Sequence, residues 1–295
     1  MSEAKRVVSD SMVGLQMPDN ARYSERVVSV LGKNPSAFTG PGTNTYIVGT
    51  GRKRLLLDAG QGVPEYGELL SATLRELADA AELEAIVVTH AHIDHIGGVP
   101  QVRERYGRLD VLKMPWPGRD SVAVADVVPL VDGAVVATEG ATLKAVHTPG
   151  HAPDHLCFYL VEEKALFSGD VVLGAGTTVI PDDGGDLAQY LNSLKKLLSL
   201  EIEVIYPGHG PPIRNPEQKI REYIAHRELR EQQILEVLGR GRRSVSEIVA
   251  EIYTDVPPYL HAAAGSSVRA HLKKLKLEGL VAEDADEGKW RLLKA

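Results

Sequence analysis

Three histidines and one aspartate lie within six residues in the segment 90–95, directly after the apolar run 85–88. Burying these polar side chains without partners would cost several kcal/mol, so they are not expected to belong to a hydrophobic core. Neutral imidazole and carboxylate are the ligands that zinc and similar borderline cations prefer. The segment therefore predicts a metal site, with a polar surface loop as the alternative interpretation. The candidate ligands are His90, His92, Asp94 and His95.

The spacing of these residues indicates two groups of ligands. His90 and His92 are alternate residues, so in an extended segment their side chains point the same way. Asp94 and His95 follow one step later and can turn toward a second cation.

Further candidate ligands come just after later apolar runs. His151, Asp170 and His209 each follow a glycine, which lets the backbone turn sharply after a strand. Asp58 follows the apolar run 55–57 in a similar way. Each residue is a weak signal alone, because an aspartate after a strand is usually part of a turn or a helix cap. Together with the histidine cluster they strongly indicate one composite metal centre.

The elements that would carry these residues are mostly strands before residue 208. Short β-branched runs there are typical of strands, and the patterns at 64–80 and 186–200 are helical. Strands and helices mix within this region, which predicts an α/β fold. The predicted strands are 45–48, 54–57, 85–89, 142–146, 156–161, 165–167 and 203–206.

The pattern changes after the glycine- and proline-rich stretch 208–216, and the remaining chain is mainly helical. Asn215 and Pro216 are typical of a helix start, and this helix runs to about residue 238. Ser244 and Glu247 have capping-box spacing and begin a second helix through 252. A third helix at 266–278 and two runs at 280–283 and 289–293 complete a winged-helix pattern.

The charge distribution supports the same division of the chain. Of the overall net charge of −7, residues 1–211 carry −9 and residues 212–295 carry +2. A net negative charge argues against a uniformly basic surface that coats nucleic acid. We therefore predict a catalytic domain at 1–214 and a helical linker with a winged-helix-like domain at 215–295.

The single cysteine, Cys157, excludes an intramolecular disulfide and a cysteine-based zinc finger. It lies in a strand pattern and is expected to be a small buried hydrophobe. No apolar run is long enough for a membrane span, and the N-terminus lacks the apolar core of a secretory signal. We expect a cytoplasmic protein, or one of the mitochondrial matrix in a eukaryote, without a membrane partner. The oligomeric state stays open.

Asp58, the segment 89–95, His151, Asp170 and His209 resemble the five motifs of the metallo-β-lactamase fold superfamily. The resemblance covers about residues 25–215 and implies a four-layer αββα sandwich with two zinc ions at one edge. It implies that a hydroxide bridging the two zincs is the nucleophile, and that Asp94 could pass a proton to the leaving group.

The same resemblance assigns a role to each candidate residue. The first zinc ion would be bound by His90, His92 and His151, and the second by Asp94, His95 and His209. Asp170 would bridge both ions, and Asp58 would orient a ligand histidine or the metal-bound loop. Asp94 and Asp170 are the candidate catalytic residues.

A closer resemblance is to the β-lactamase-like protein 2 family, on the segments 42–46, 168–170, 206–211, 228–234 and 271–275. Animal members of that family are single-strand endoribonucleases, and related fungal enzymes hydrolyse polyketide thioesters on acyl carrier proteins. This chain departs from the family at Ala91, where animal members carry an aromatic residue, and in the loop 180–185. Both departures flank the metal pocket, so they bear on which substrate the site accepts.

Three functions are compatible with these features. The first is a zinc-dependent endoribonuclease on single-stranded RNA, in which two metals stabilise the attacking and leaving oxygens. The second is hydrolysis of a small thioester or lactam, which needs only the metal site and an apolar pocket. The third is a regulator with structural metals, which the cysteine-free ligand set disfavours. We predict the first function, with hydrolysis of a small acyl substrate as the alternative.

A set of cations on the third C-terminal helix occupies the recognition position of a winged helix. Contacts from this helix to phosphate would make binding sensitive to salt. Alternatively, these cations line a solvated face, or the domain caps the active-site rim or mediates dimerisation. The candidate nucleic-acid contacts are Arg269, Lys273, Lys274 and Lys276.

The other histidines are expected to lie outside the metal set. His147 and His155 are predicted to pack or to form local hydrogen bonds, with a role behind the ligands as the alternative. His226 is predicted to be a solvated helix residue, and His261 and His271 lie too far along the chain to join the site.

Overall fold

Two β-sheets stack face to face in the computed structural model of the protein. The structure describes residues 12, 14–77, 81–120, 124–254, 261–284 and 287–293. Helices cover the outer face of each sheet, and a smaller winged-helix unit follows. Within these residues, no helix combines the length and the apolar character that a bilayer span requires.

The first sheet has seven strands, and their order in space is their order in the sequence. The first four strands are antiparallel, and the last four are parallel to one another. The strands are β1 (Asn20–Arg22), β2 (Val27–Leu31), β3 (Asn44–Val48), β4 (Lys53–Leu57), β5 (Glu82–Val87), β6 (Asp110–Lys113) and β7 (Val127–Pro129).

The second sheet has five strands in the order β12-β11-β10-β9-β8. Its strands are antiparallel except for the parallel pair β11 and β12. The strands are β8 (Val135–Thr138), β9 (Ala141–His147), β10 (Leu156–Leu160), β11 (Ala165–Gly169) and β12 (Val204–Pro207).

Alternation of side chains along the strands produces the layered core. In β4, Leu55 and Leu57 face the second sheet and pack in the same cluster as Phe158 and Phe167. Leu56, between them, packs under the outer helices of the first sheet, α1 (Pro64–Glu76) and α3 (Val99–Tyr106). The short helix α2 (Ile93–Ile96) lies between these two helices in the sequence. The second sheet sends its other face toward α4 (Leu187–Leu197) and α5 (Pro216–Gly239). The predicted αββα sandwich is confirmed.

The C-terminal unit is a winged helix, as predicted. Its elements are β13 (Arg243–Ser244), α6 (Val245–Ile252), α7 (His261–Leu277), β14 (Val281–Asp284) and β15 (Lys289–Leu292), and the three strands form one small sheet. The Ser244 hydroxyl accepts from the Glu247 backbone N–H and the Glu247 carboxylate accepts from the Ser244 N–H, which confirms the capping box.

Helix α5 contributes to two cores. Ile220 and Tyr223 near its start pack with the helix side of the second sheet, whereas Ile234 and Leu238 near its end pack in the winged helix. The domain boundary at 214/215 therefore stays a prediction, because helix α5 belongs to both the sandwich and the winged helix.

Every predicted strand and helix has an observed counterpart, with differences at the ends, but strands β1, β2, β6, β7 and β8 were not predicted. Helix α1 ends at Glu76, and residues 78–80 of its predicted extent lie outside the described residues. Helix α7 spans His261–Leu277 among the described residues, so it extends ahead of the predicted start at 266, because the alanines at 262–264 favour a helix despite Gly265. The first eleven residues of the predicted catalytic domain and part of the hairpin turn, 285–286, also lie outside the described residues.

Candidate metal centre

The predicted ligands lie at the carboxyl ends of four strands. The segment with His90 follows β5, His151 follows β9, Asp170 follows β11 and His209 follows β12. The backbone N–H of Leu156 donates to Thr89 O at 2.8 Å and joins the two sheets at this edge. The topology therefore brings all the candidate ligands to one edge of the sandwich.

The first group consists of three imidazoles. His92 Nδ1 lies 2.9 Å from His90 Nε2 and 2.9 Å from His151 Nε2. The opposite nitrogens are engaged: His90 Nδ1 lies 3.0 Å from the Thr89 hydroxyl, and His151 Nδ1 donates to the Val179 carbonyl at 2.7 Å. These contacts hold three ring nitrogens around one point.

The second group combines two imidazoles and two carboxylates. Asp94 Oδ2 lies 3.3 Å from Nε2 of His95 and 3.3 Å from Nε2 of His209. Asp170 Oδ1 lies 3.4 and 3.3 Å from the same two nitrogens. The other oxygen of Asp170, Oδ2, lies 3.5 Å from His151 Nε2, so this carboxylate faces both groups.

These side chains fit a pair of metal ions. His95 Nε2 and Asp170 Oδ1 are buried and form no well-aligned hydrogen bond within the described chain, although the two atoms lie 3.4 Å apart. A cation between them would satisfy both atoms. Imidazole nitrogen and carboxylate oxygen are also the donors that zinc accepts.

The imidazoles of the first group are held neutral. Burial, together with neighbouring imidazoles, lowers the pKa of His90 well below its ordinary value. Burial and the His151 ring lower the pKa of His92 to about 3, and burial also lowers the pKa of His151. Neutral rings offer the lone pairs that a metal ion requires.

In the second group, by contrast, the surroundings favour protonated imidazoles. Burial opposes protonation of His209, but the carboxylates of Asp170 and Asp94 raise its pKa to about 9. The same carboxylates and Asp58 raise the pKa of His95 against burial. Burial opposes ionisation of the two aspartates, yet the imidazoles lower the pKa of each carboxyl well below its ordinary value. Without a metal ion, protons on His95 and His209 balance the carboxylates.

Asp58 lies next to the candidate ligand His95, where it could take the orienting role that the family resemblance implies. Its Oδ2 lies 2.7 Å from His95 Nδ1, and its Oδ1 accepts from the Thr89 N–H at 2.8 Å. The backbone of Asp58 has a φ of 60°, in the left-handed region that non-glycine residues rarely adopt. Two hydrogen-bonded neighbours keep the residue in this strained conformation.

Two further residues support the centre and were missed or left open by sequence reasoning. The Thr43 hydroxyl donates to Asp94 Oδ2 at 3.0 Å. His155 Nε2 accepts from the Asp170 N–H at 3.1 Å, and its Nδ1 lies 3.0 Å from the Thr148 hydroxyl. His155 thus forms two hydrogen bonds, and one of them holds the backbone of the candidate ligand Asp170. No spacing signal distinguishes Thr43 from other threonines that precede a strand.

Two glycines allow the backbone turn and the space that the candidate ligands require. Gly169 has a φ of +47°, which permits the turn that places Asp170. Gly208 is required for space, because a Cβ there would lie 2.5 Å from Asp170 Oδ1 and 2.9 Å from His95 Cε1.

The cysteine and three other histidines, which were predicted to lie outside the metal set, have no contact with the centre in the described part of the chain. His147 Nε2 contacts the Pro153 carbonyl at 2.9 Å. Cys157 is fully buried, as predicted, and burial raises the pKa of its thiol to about 12. His226 is half-buried rather than solvated, and His271 is buried in the winged helix, 3.6 Å from Glu231.

The four predicted nucleic-acid contacts are each paired with carboxylates. Arg269 Nε donates to Asp182 at 2.8 Å, and Lys273 Nζ lies 3.6 Å from the same side chain. The partners of the other two cations are Glu231 and Glu278 for Lys274, and Glu283 for Lys276. A role in nucleic-acid binding stays a prediction for these residues.

Comparison with known families assigns both units. Residues 38–209 match the family model described as the Metallo-beta-lactamase superfamily, and residues 244–290 match the Beta-lactamase associated winged helix domain.

Known proteins resemble the chain over most of its length. It is 41% identical over 265 residues to a Beta-lactamase-like protein 2 homolog of Caenorhabditis elegans, covering 88% of this chain and 87% of that protein. It is 41% identical over 251 residues to an Atrochrysone carboxyl ACP thioesterase of Aspergillus novofumigatus, covering 81% and 74%. A Beta-lactamase domain protein from Burkholderia ambifaria shares the fold, with a TM-score of 0.81, 20% identity and coverage of 96% and 97%.

Proposed function

The chain belongs to the metallo-β-lactamase superfamily of hydrolases, and from this premise we propose that it is a dinuclear-zinc hydrolase of acyl thioesters. One observation carries the proposal of a dinuclear centre. Asp170 Oδ1 lies 3.3 Å from His209 Nε2, whereas its Oδ2 lies 3.5 Å from His151 Nε2. A carboxylate in this position can bridge two cations, and paired metal ions are typical of hydrolytic rather than structural sites.

The chain's own residues hold and orient the ligand atoms. Asp58 and the Val179 carbonyl accept the ring protons of His95 and His151, so the free nitrogen of each ring is directed at the centre. When bound, two zinc ions would polarise the scissile carbonyl and lower the pKa of a water molecule toward neutrality. The proposed ligands are His90, His92 and His151 for one ion, Asp94, His95 and His209 for the other, and Asp170 for both.

The surroundings of Asp94 favour a leaving group that departs without a proton. Its Oδ2 accepts from the Thr43 hydroxyl and faces Nε2 of both His95 and His209, so this oxygen is engaged as a ligand. A thiolate needs no proton donor, because a free thiol has a pKa of about 8.5. The alkoxide released from RNA is far more basic, so it depends on a proton donor or on a metal ion that binds the leaving oxygen. This contrast supports a thioester over a phosphodiester.

The named relatives support the same class of substrate. The Aspergillus novofumigatus relative is a thioesterase by name, and its match covers 81% of this chain. The alternative predicted from the sequence, a small acyl substrate, is therefore the proposed one.

The direct test is a parallel assay of the full chain, loaded with zinc, on an acyl thioester, single-stranded RNA and a β-lactam. We expect thioester hydrolysis that chelation abolishes and that the His92→Ala, Asp94→Ala double variant lacks. His226→Ala, which changes a histidine outside the centre, is the control and should retain activity. Thioester hydrolysis that survives exhaustive chelation would contradict the metal mechanism.

Single-stranded RNA is the second candidate, and one observation favours it. Arg269 and Lys273 of α7 reach Asp182, three residues after the carbonyl that orients His151. A basic pair thus contacts the segment that follows this carbonyl. If RNA is the substrate, reversing the charge of Lys273 and Lys274 should reduce RNA cleavage more than ester hydrolysis. Equal effects on both reactions would remove α7 from substrate binding.

A further inference from the structure

Arg227 of helix α5 is a buried cation at the junction of the two units. Its side chain is almost fully buried, and its Nη2 donates to the Thr178 carbonyl. Its Nη1 lies 3.4 Å from the Ser267 hydroxyl of α7, and its guanidinium lies 5.5 Å from the centre of the Tyr190 ring. These contacts are a carbonyl, a hydroxyl and an aromatic face, which fix the direction of the guanidinium.

The carbonyl that Arg227 binds belongs to a segment that holds two metal ligands. The Thr178 hydroxyl donates to the Asp170 carbonyl at 2.8 Å. The next carbonyl, that of Val179, accepts from His151 Nδ1 at 2.7 Å. One short segment therefore fixes the backbone of the bridging carboxylate and the ring orientation of a histidine.

The winged helix contacts the same segment through α7. Arg269 and Lys273 of α7 both pair with Asp182, three residues after Val179. Helices α5 and α7 thus hold the segment 178–182 at both ends. Because the ligands on this segment need a fixed geometry, its anchoring bears on metal binding.

We propose that Arg227 is a positioning residue for the metal centre, and that the winged-helix unit acts on catalysis by anchoring the segment 178–182. The inference rests on the proposed metal centre. Arg227 acts through the Thr178 carbonyl, and the Thr178 hydroxyl and Val179 carbonyl then act on Asp170 and His151. The C-terminal unit is in this respect part of the catalytic scaffold, whichever substrate the site accepts.

The experiment compares metal binding by full-chain variants whose folding is verified by circular dichroism. Arg227→Met removes the guanidinium, and Thr178→Val removes the hydroxyl at nearly constant shape. Thr178→Ser keeps the hydroxyl and serves as the conservative rescue. Arg221→Met, at an exposed arginine of the same helix, is the matched control. Zinc affinity is measured by chelator competition, and ligand geometry by the visible absorption of the cobalt-substituted protein.

We expect Arg227→Met and Thr178→Val to weaken metal binding by about 10–100-fold, the effect of partners that orient ligands. Both should change the cobalt spectrum and lower kcat more than they raise KM, whereas Thr178→Ser and Arg221→Met should match the wild type. Folded Arg227→Met or Thr178→Val protein with wild-type affinity and spectrum would overturn the inference. If Arg227→Met does not fold, Thr178→Val decides the question. A wild-type chain that binds no metal would overturn the proposed function, and this inference with it.

Discussion

Nδ1 of His95 and Oδ2 of Asp58 lie 2.7 Å apart, and both side chains are almost completely buried. The ring proton on Nδ1 is donated to the carboxylate, which leaves Nε2 directed at Asp94 and Asp170. Asp58 is itself fixed by the Thr89 N–H. The pair therefore sets the orientation of a proposed metal ligand through a residue that is not itself a proposed ligand.

Replacing Asp58 by asparagine should weaken metal binding in a chain that still folds. The amide keeps the shape of the carboxylate but loses the charge that favours the Nδ1–H form of His95. We expect metal affinity to fall by about 10–100-fold, measured by chelator competition. Asp126→Asn changes an exposed, arginine-paired carboxylate and should bind metal like the wild type. Indistinguishable affinities in the two variants would refute the role of Asp58.

The candidate metal ligands that the structure brings together could be picked out from the sequence because their signals are local. Four of them occupy one short segment, and the others follow a glycine at the end of an apolar run. The supporting contacts are not local. Thr43 reaches Asp94 across 51 residues, and Arg227 reaches Thr178 across 49. Nothing in the composition around these residues indicates the partner, so the structure was needed to find them.

Adding one methyl group at Gly208 should disrupt the centre. In Gly208→Ala the Cβ would lie 2.5 Å from Asp170 Oδ1 and 2.9 Å from His95 Cε1, so at least one of these groups must move. We expect less metal bound per chain, measured by elemental analysis after dialysis against a limiting metal concentration. Gly239→Ala is the control, because a Cβ there has no neighbour within 4 Å. Full metal content in both variants would show that the centre adapts to the methyl group.

Metal binding to the second group should release protons at neutral pH. The pKa of His209 is about 9 and that of His95 is raised, so both imidazoles carry protons that a metal ion must displace. The imidazoles of the first group are already neutral, with the pKa of His92 at about 3. Calorimetry in buffers of different ionisation enthalpy should therefore detect more protons released at pH 7 than above the pKa of His209. Equal release at both pH values would contradict this assignment.

The same shift predicts how the stability of the metal-free chain depends on pH. The pKa of His209 rises on folding from 6.5 to about 9, so its protonated form favours the folded state. This contribution is fully present below pH 6.5 and is lost as the pH rises through 9. The urea midpoint of the metal-free protein should fall over this interval, and His209→Gln should show a smaller fall. A midpoint that rises over the interval would contradict the sign of the effect.

Lys113 shows where pattern-based prediction of the fold reaches its limit. A lysine at the end of the short strand β6 is expected to be exposed, yet this side chain is fully buried. Its Nζ donates to Asp120 at 2.6 Å and to Asp154 at 2.8 Å. The two carboxylates come from separate loops, so the pairing is invisible in the local sequence. Short strands such as β6 and β8 were missed for the same reason, because long-range pairing stabilises them.

Lys113→Met should therefore destabilise the protein strongly. The substitution leaves the carboxylates of Asp120 and Asp154 together in a buried site, where burial already raises the pKa of Asp154. Removing one member of a buried ion pair typically costs about 3–5 kcal/mol, and urea unfolding should detect a loss of this size. Lys164→Met is the matched control, because Lys164 makes the same 2.8 Å contact, to Glu201, at a solvent-exposed position. Its urea midpoint should stay at the wild-type value, and equal midpoints for the two variants would disprove the importance of burial.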